Sequence, residues 1–123
     1  MQVRIARHTD RLEEVVRFYR DGLGLAELGR FEGHGGYDGV FLDLPGTGAH
    51  LEFTTGGTHS APQPHPESLV VLYLGSWDAV RAAAERAGTE PVEPSNLYWA
   101  EHGVTLADPD GFQVVLVASS WPS

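Results

Sequence analysis

The chain has no cysteine. Disulfides, thiolate metal sites and thiol nucleophiles are therefore excluded, and cysteine usage says nothing of its redox compartment. It has no lysine either; all eight of its basic residues are arginine. Against 17 acidic residues they leave a formal net charge of −9. That balance argues against a nucleic-acid partner, which needs a basic patch to meet the phosphates. It suits a neutral or cationic small molecule, or simply solubility. No apolar run approaches the length that spans a bilayer. Met1-Gln2-Val3-Arg4-Ile5 enters a strand pattern at once, so no secretory leader is expected and the expected location is cytoplasmic. No phosphate-cradling loop and no useful Ser-His-Asp order is present.

What the chain does have is enough length for one domain, 123 residues, which buries roughly two-thirds of its unfolded surface without staples. Val3 to Arg7 reads as a strand. Thr9-Asp10 follows, and Asp10 with Glu13 has the spacing of a capping box. Leu12, Val15, Val16, Tyr19 and Leu23 form one apolar helical face, closed by Gly22-Leu23-Gly24. Strands are predicted for Leu25 to Phe31, Val40 to Leu44 and Ala49 to Thr54, with a Gly33–Gly36 turn between the first two. Thr55 to Pro66 lacks periodicity and reads as a crossover.

The pattern then restarts. Ser68 to Leu74 is apolar enough for a strand buried on both faces. Ser76 caps a helix whose inner face is Trp77, Val80, Ala84 and Ala87, stopped by Gly88. Pro91 to Glu93 is a short or edge strand, Pro94 to Ala100 a loop, Gly103 to Ala107 and Phe112 to Val117 the last strands. Asp108-Pro109-Asp110-Gly111 is the turn between those two. Trp121 lies in a tail. The order is β-α-β-β-β twice, with Gly24 and Gly88 offset by 64 residues. The fold class is α+β: two βαβββ modules, about 1–55 and 67–118, forming a cupped mixed sheet with helices on its outer face.

His50-Leu51-Glu52-Phe53 is the most informative stretch. Strand side chains alternate, so Leu51 and Phe53 belong to the buried side and His50 and Glu52 to the other. The same parity groups Arg4, Ala6, Leu69, Val71, Tyr73, Gln113, Val115 and Val117 as a lining of apolar walls with a few polar groups, the usual character of a ligand pocket. Tyr98 and Trp99 are candidates to roof it. The ligand-binding candidates are thus Arg4, His50, Glu52, Tyr73, Gln113, Tyr98 and Trp99. The solvated helix face is Glu13, Glu14, Arg17 and Arg20.

Two motifs carry a resemblance. Arg17-Phe18-Tyr19-Arg20-Asp21-Gly22-Leu23-Gly24-Leu25 resembles the end of the first helix in the vicinal oxygen chelate (VOC) superfamily, which includes glyoxalase I, extradiol dioxygenases and bleomycin-resistance proteins. Ala107-Asp108-Pro109-Asp110-Gly111-Phe112 resembles its late hairpin, with Phe112 in place of the usual Asn. The resemblance implies a cup lined in the metal enzymes by His, Glu, His and Glu. Those positions fall on Arg4, Glu52, Leu69 or a neighbour, and Val115. Only Glu52 keeps a ligand.

Arginine has no lone pair to give, and Leu69 and Val115 have no donor atom. The expectation is therefore no metal and no other cofactor, with Arg4 and Glu52 forming a buried ion pair. The alternative is one divalent ion in a rearranged site drawn from His8, His50, Glu52 or His102. The first functional expectation is a small-molecule-binding, bleomycin-resistance-like protein. The second is a divalent-metal-dependent enzyme (lyase, isomerase, dioxygenase or thiol transferase) with Glu52 as ligand or catalytic base. The resemblance also implies a homodimer.

Overall fold

The computed structural model describes residues 1–122. The chain divides into two compact units, Met1–Gln63 and the remainder from Pro64.

In the first unit β1 (Val3–His8) leads to α1 (Leu12–Val16), whose continuation Arg17–Gly22 is wound as a π-helix. Three strands follow: β2 (Glu27–His34), β3 (Tyr37–Leu44) and β4 (Ala49–Gly56). The sheet order is β1-β4-β3-β2, with β1 parallel to β4 and the other pairs antiparallel. This is the expected βαβββ module. The helical run packs on β4, where Tyr19 stacks on Phe53 with ring centroids 4.9 Å apart. Val15, Val16, Phe18, Leu42 and Leu51 complete the core. The wider π turn, seen in the Leu23 N–H to Phe18 carbonyl bond, brings Phe18 inward beside the predicted Tyr19.

Several local expectations change. No side chain caps α1, which starts after Arg11. Thr9 is buried, and its hydroxyl accepts the Arg11 N–H instead. The Asp10 carboxylate is turned toward His59. The Gly33–Gly36 turn is shorter than read: His34 pairs with Tyr37, and Gly35 and Gly36 (φ 60° and 86°) make a two-residue hairpin turn. Val3 and Ile5 share the side of Leu51, opposite to Arg4 and Ala6, yet stay half-exposed because β1 is the sheet edge. Arg20 is no free surface group: it donates to Glu27 at 2.8 Å, and Arg30 joins Glu27 at 2.7 Å and Glu13 at 3.5 Å.

The second unit contains β5 (Leu69–Tyr73), α2 (Trp77–Ala87), α3 (Tyr98–His102), β6 (Gly103–Ala107) and β7 (Gln113–Val117). Its sheet order is β5-β7-β6, with β5 parallel and β6 antiparallel to β7. The Ser76 hydroxyl caps α2 by accepting the Ala79 N–H, and Gly88 ends it at φ 68°. Asp108 organises the β6–β7 turn, one carboxylate oxygen accepting the N–H groups of Asp110 and Phe112.

The second module departs from a full βαβββ. Pro91–Glu93 is not a strand; Val92 alone donates to the Thr105 carbonyl, at 2.8 Å. Pro91 and Pro94 leave this stretch too few N–H donors for a ladder. The Pro94–Ala100 loop ends in the short helix α3. β5 is only part-buried, because it is an edge; the strand buried on both faces is the central β7, from Val114 to Val117. The inner face of α2 is Val80 and Ala83, with the predicted Ala84 and Ala87 half-buried beside them, while Trp77 is 41% exposed. All three tryptophans, Trp77, Trp99 and Trp121, belong to this unit.

Candidate functional site

The open face of the first sheet gathers the polar groups that strand parity assigned to it. Register pairs Arg4 with His50, Ala6 with Glu52, and Phe41 with Glu52, so these side chains share the face opposite the helix. The Arg4 Nε donates to the His50 Nε2 at 2.9 Å. His50 is therefore held with Nε2 as acceptor and its proton on Nδ1. The Arg4 guanidinium carbon lies 4.8 Å from the centre of the Phe41 ring, a cation–π contact. The Phe41 ring in turn meets His50 edge-on at 6.1 Å. Phe31 extends this aromatic floor and lies across Gly39, where any Cβ would collide with its ring.

Arg4 and Glu52 are not the buried bidentate pair expected. The nearest nitrogen–oxygen distance is 3.8 Å and the Arg4 side chain is 51% exposed. A contact this long and this wet contributes about 0–1 kcal/mol. Arg4 donates through Nε to His50, and the Glu52 carboxylate makes no hydrogen bond among the described residues although its side chain is only 16% exposed.

The other predicted site residues lie in the second unit. Tyr73, at the end of β5, is 41% exposed. Gln113 opens β7 opposite Leu69, and its buried Oε1 has no hydrogen-bond partner among the described residues. Tyr98 and Trp99 pack edge to face at 5.0 Å at the start of α3. Tyr98 also stacks on His102 at 4.2 Å, so that imidazole is engaged within its own helix. Sequence reading passed over Phe41 and His59. Phe41 lies inside the predicted Val40 to Leu44 strand, and pairing that strand with His50-Leu51-Glu52-Phe53 would have put it opposite Glu52; His59 sits in a segment without periodicity.

Residues 3–54 match the YycE-like N-terminal domain family, and residues 67–118 the YycE-like C-terminal domain family. YycE of Bacillus subtilis (strain 168) is 45% identical over 122 residues, which cover 96% of this chain and 88% of that one. The chain belongs to the YycE-like family. The crystal structure of Bacillus subtilis YycE superposes on this YycE-like chain with a TM-score of 0.89 at 44% identity, covering 99% of this chain and 92% of that one. More distant structures share the fold alone. The trypanothione-dependent glyoxalase I of Leishmania major gives a TM-score of 0.73 at 17% identity, covering 97% and 86% of the two chains. TnmS3, an antibiotic-binding protein from Streptomyces sp. CB03234, gives 0.69 at 20% identity, covering 98% and 96%. The fold is that of the vicinal oxygen chelate superfamily, as the two motifs implied.

The positions that the resemblance assigns to metal ligands, Arg4, Glu52, Leu69 or a neighbour, and Val115, make a poor donor set. Arg4 is a cation, Leu69 and Val115 are hydrocarbon, and His50 has its Nε2 lone pair occupied by Arg4. Glu52 alone cannot hold a first-row divalent ion, which takes several N or O donors.

Proposed function

We propose that this YycE-like chain binds a small molecule on the open face of its first sheet, without metal at the superfamily position. The observation that carries this reading is the Glu52 carboxylate, part-buried and without a hydrogen-bond donor among the described residues, beside a guanidinium and an aromatic ring. Such a set suits a ligand that offers Glu52 an ammonium, amide or hydroxyl donor, Arg4 an acceptor and Phe41 a flat apolar surface. The acidic surface favours cationic compounds over anionic ones. The antibiotic-binding TnmS3 supports the reading by fold alone. Tyr73, Gln113, Tyr98 and Trp99 stay candidates for ligand contacts within the second unit. A cytoplasmic homodimer completes the proposal, by resemblance.

A second reading uses the same carboxylate as a base. A half-buried Glu with no hydrogen bond to lose is able to accept a proton from a bound carbon acid. Calorimetric titration with bleomycin, a bulky cationic antibiotic, tests the binding reading. Binding should weaken about tenfold or more, about 1.4 kcal/mol, in Glu52→Gln and in Arg4→Met. Unchanged affinity in both variants would remove this face from the site. A stoichiometric metal that is lost with Glu52→Gln would replace the binder by the metal enzyme.

A further inference from the structure

We infer that the first unit carries a divalent transition-metal site made of His8, Asp10 and His59, separate from the superfamily position. Its ligand atoms, one from each residue, lie within 4.8 Å of one another. Donors about 2.0–2.2 Å from a common ion stand roughly 3–4 Å apart, so side-chain rotation that parts the two imidazole rings closes the set.

The residues reach each other by separate routes. His8 ends β1 on the open face, four residues and about 13 Å along the strand from Arg4. Asp10 follows two residues later, released from the helix cap predicted for it. His59 comes from the crossover, which turns back after Gly56 and Gly57 at φ 96° and 64°. The Tyr37 side chain fills the space where a Cβ on Gly57 would stand, and the same Tyr37 ring meets His8 edge-on at 6.3 Å. The return of the chain is therefore seated on the residues it joins, and the His8 and His59 rings lie against each other with centroids 3.2 Å and planes 38° apart, a contact that has to part for both imidazoles to bind one ion.

Proton placement points the same way. The His59 Nδ1 is 2.8 Å from the Ser60 carbonyl, which only accepts, so Nδ1 carries hydrogen. A backbone carbonyl holding one ring nitrogen is the usual way to aim the other at a metal. That other nitrogen, Nε2, faces the Asp10 carboxylate at 3.1 Å. A lone pair and a carboxylate face each other only with positive charge between them. A proton would serve for two partners; the converging third donor, His8, is what a metal ion requires and a proton does not. Two imidazoles and one carboxylate suit borderline ions such as Zn(II), Fe(II), Co(II) or Ni(II), and leave coordination places open. The inference stands apart from the ligand-binding reading, since it uses neither Arg4 nor Glu52.

The test is calorimetric titration of tag-free, chelator-stripped protein with Zn(II), with elemental analysis after desalting. About one Zn(II) per chain is expected, with affinity reduced about tenfold or more in His59→Ala and in Asp10→Asn, and unchanged in Glu52→Gln. Circular dichroism checks that each variant is folded, and Asp10→Asn keeps side-chain size should His59→Ala disturb the crossover. Co(II) should give visible absorption bands in the wild type and weaker ones in both variants. Substoichiometric Zn(II), retention of full affinity by folded His59→Ala and Asp10→Asn, or equal loss in Glu52→Gln would overturn the site.

Discussion

Arg4 shows how much one residue can decide. The superfamily resemblance puts a metal-binding imidazole at its position, and an arginine there changes the chemistry from coordination to ion pairing and hydrogen bonding. Replacing it by leucine frees the His50 Nε2 but adds no ligand, so His50 and Glu52 offer two donors at most. Arg4→Leu should therefore gain no stoichiometric Zn(II) at Glu52, as measured by elemental analysis of the variant against wild type. Glu27 is the other instructive single residue. Hydrogen bonds from Arg30 first, then Arg20, hold its carboxyl at about 2 rather than 4.5. A depressed carboxyl stabilises the fold above its unfolded pKa and loses that contribution as pH falls through the folded one. The difference in urea stability between wild type and Glu27→Gln should thus be full at pH 7 and fade between about 4.5 and 2. With all three partners part-exposed, it should amount to about 1 kcal/mol or less and shrink in high salt.

At the scale of elements, β6 meets β7 at a position that tolerates no side chain. Gly103 is extended, so its backbone angles suit any residue, but a Cβ would run into the Leu116 carbonyl. Gly103→Ala should cost about 1–3 kcal/mol, read as a lower thermal midpoint. The Asp108 turn offers a second check. Asp108→Ala removes the acceptor of two backbone N–H groups at a 5% exposed position, and should cost about 1–3 kcal/mol in the same assay. Helices and long strands were legible because periodicity writes burial into sequence: Val15, Val16, Tyr19, Leu51 and Phe53 all face the core. Edges were not. Ser68 to Leu74 is as apolar as a central strand, yet β5 is an edge, because strand order is a property of pairing and not of composition. The Pro91–Glu93 strand failed to form for a reason visible in its own letters, the two flanking prolines.

For the whole molecule, the two motifs at the ends of the two helical–strand modules were enough to name the fold, and the family match agrees. Function was less legible. Parity grouped Arg4, His50 and Glu52 on one face, but the long, wet Arg4–Glu52 contact depends on side-chain rotamers, which parity does not set. His59 was invisible, since a crossover has no period to say where it returns. Among the described residues no helix is long and apolar enough to cross a membrane. The proposed homodimer should sediment at roughly twice the 13.3 kDa chain mass; a single-chain value at micromolar concentration would remove it.

The placement of every indole in the second unit divides the molecule spectroscopically. Tryptophan emission will follow the melting of α2, α3 and the tail, with a red-shifted maximum where Trp77 and Trp121 stand in water, at 41% and 74% exposure. The half that carries Glu52, His8 and His59 is dark at that wavelength except for its tyrosines, Tyr19 and Tyr37. A denaturation curve recorded by fluorescence alone would therefore describe the wrong half of the chain, and agreement between the fluorescence and far-ultraviolet traces is the direct measure of whether the two halves unfold as one.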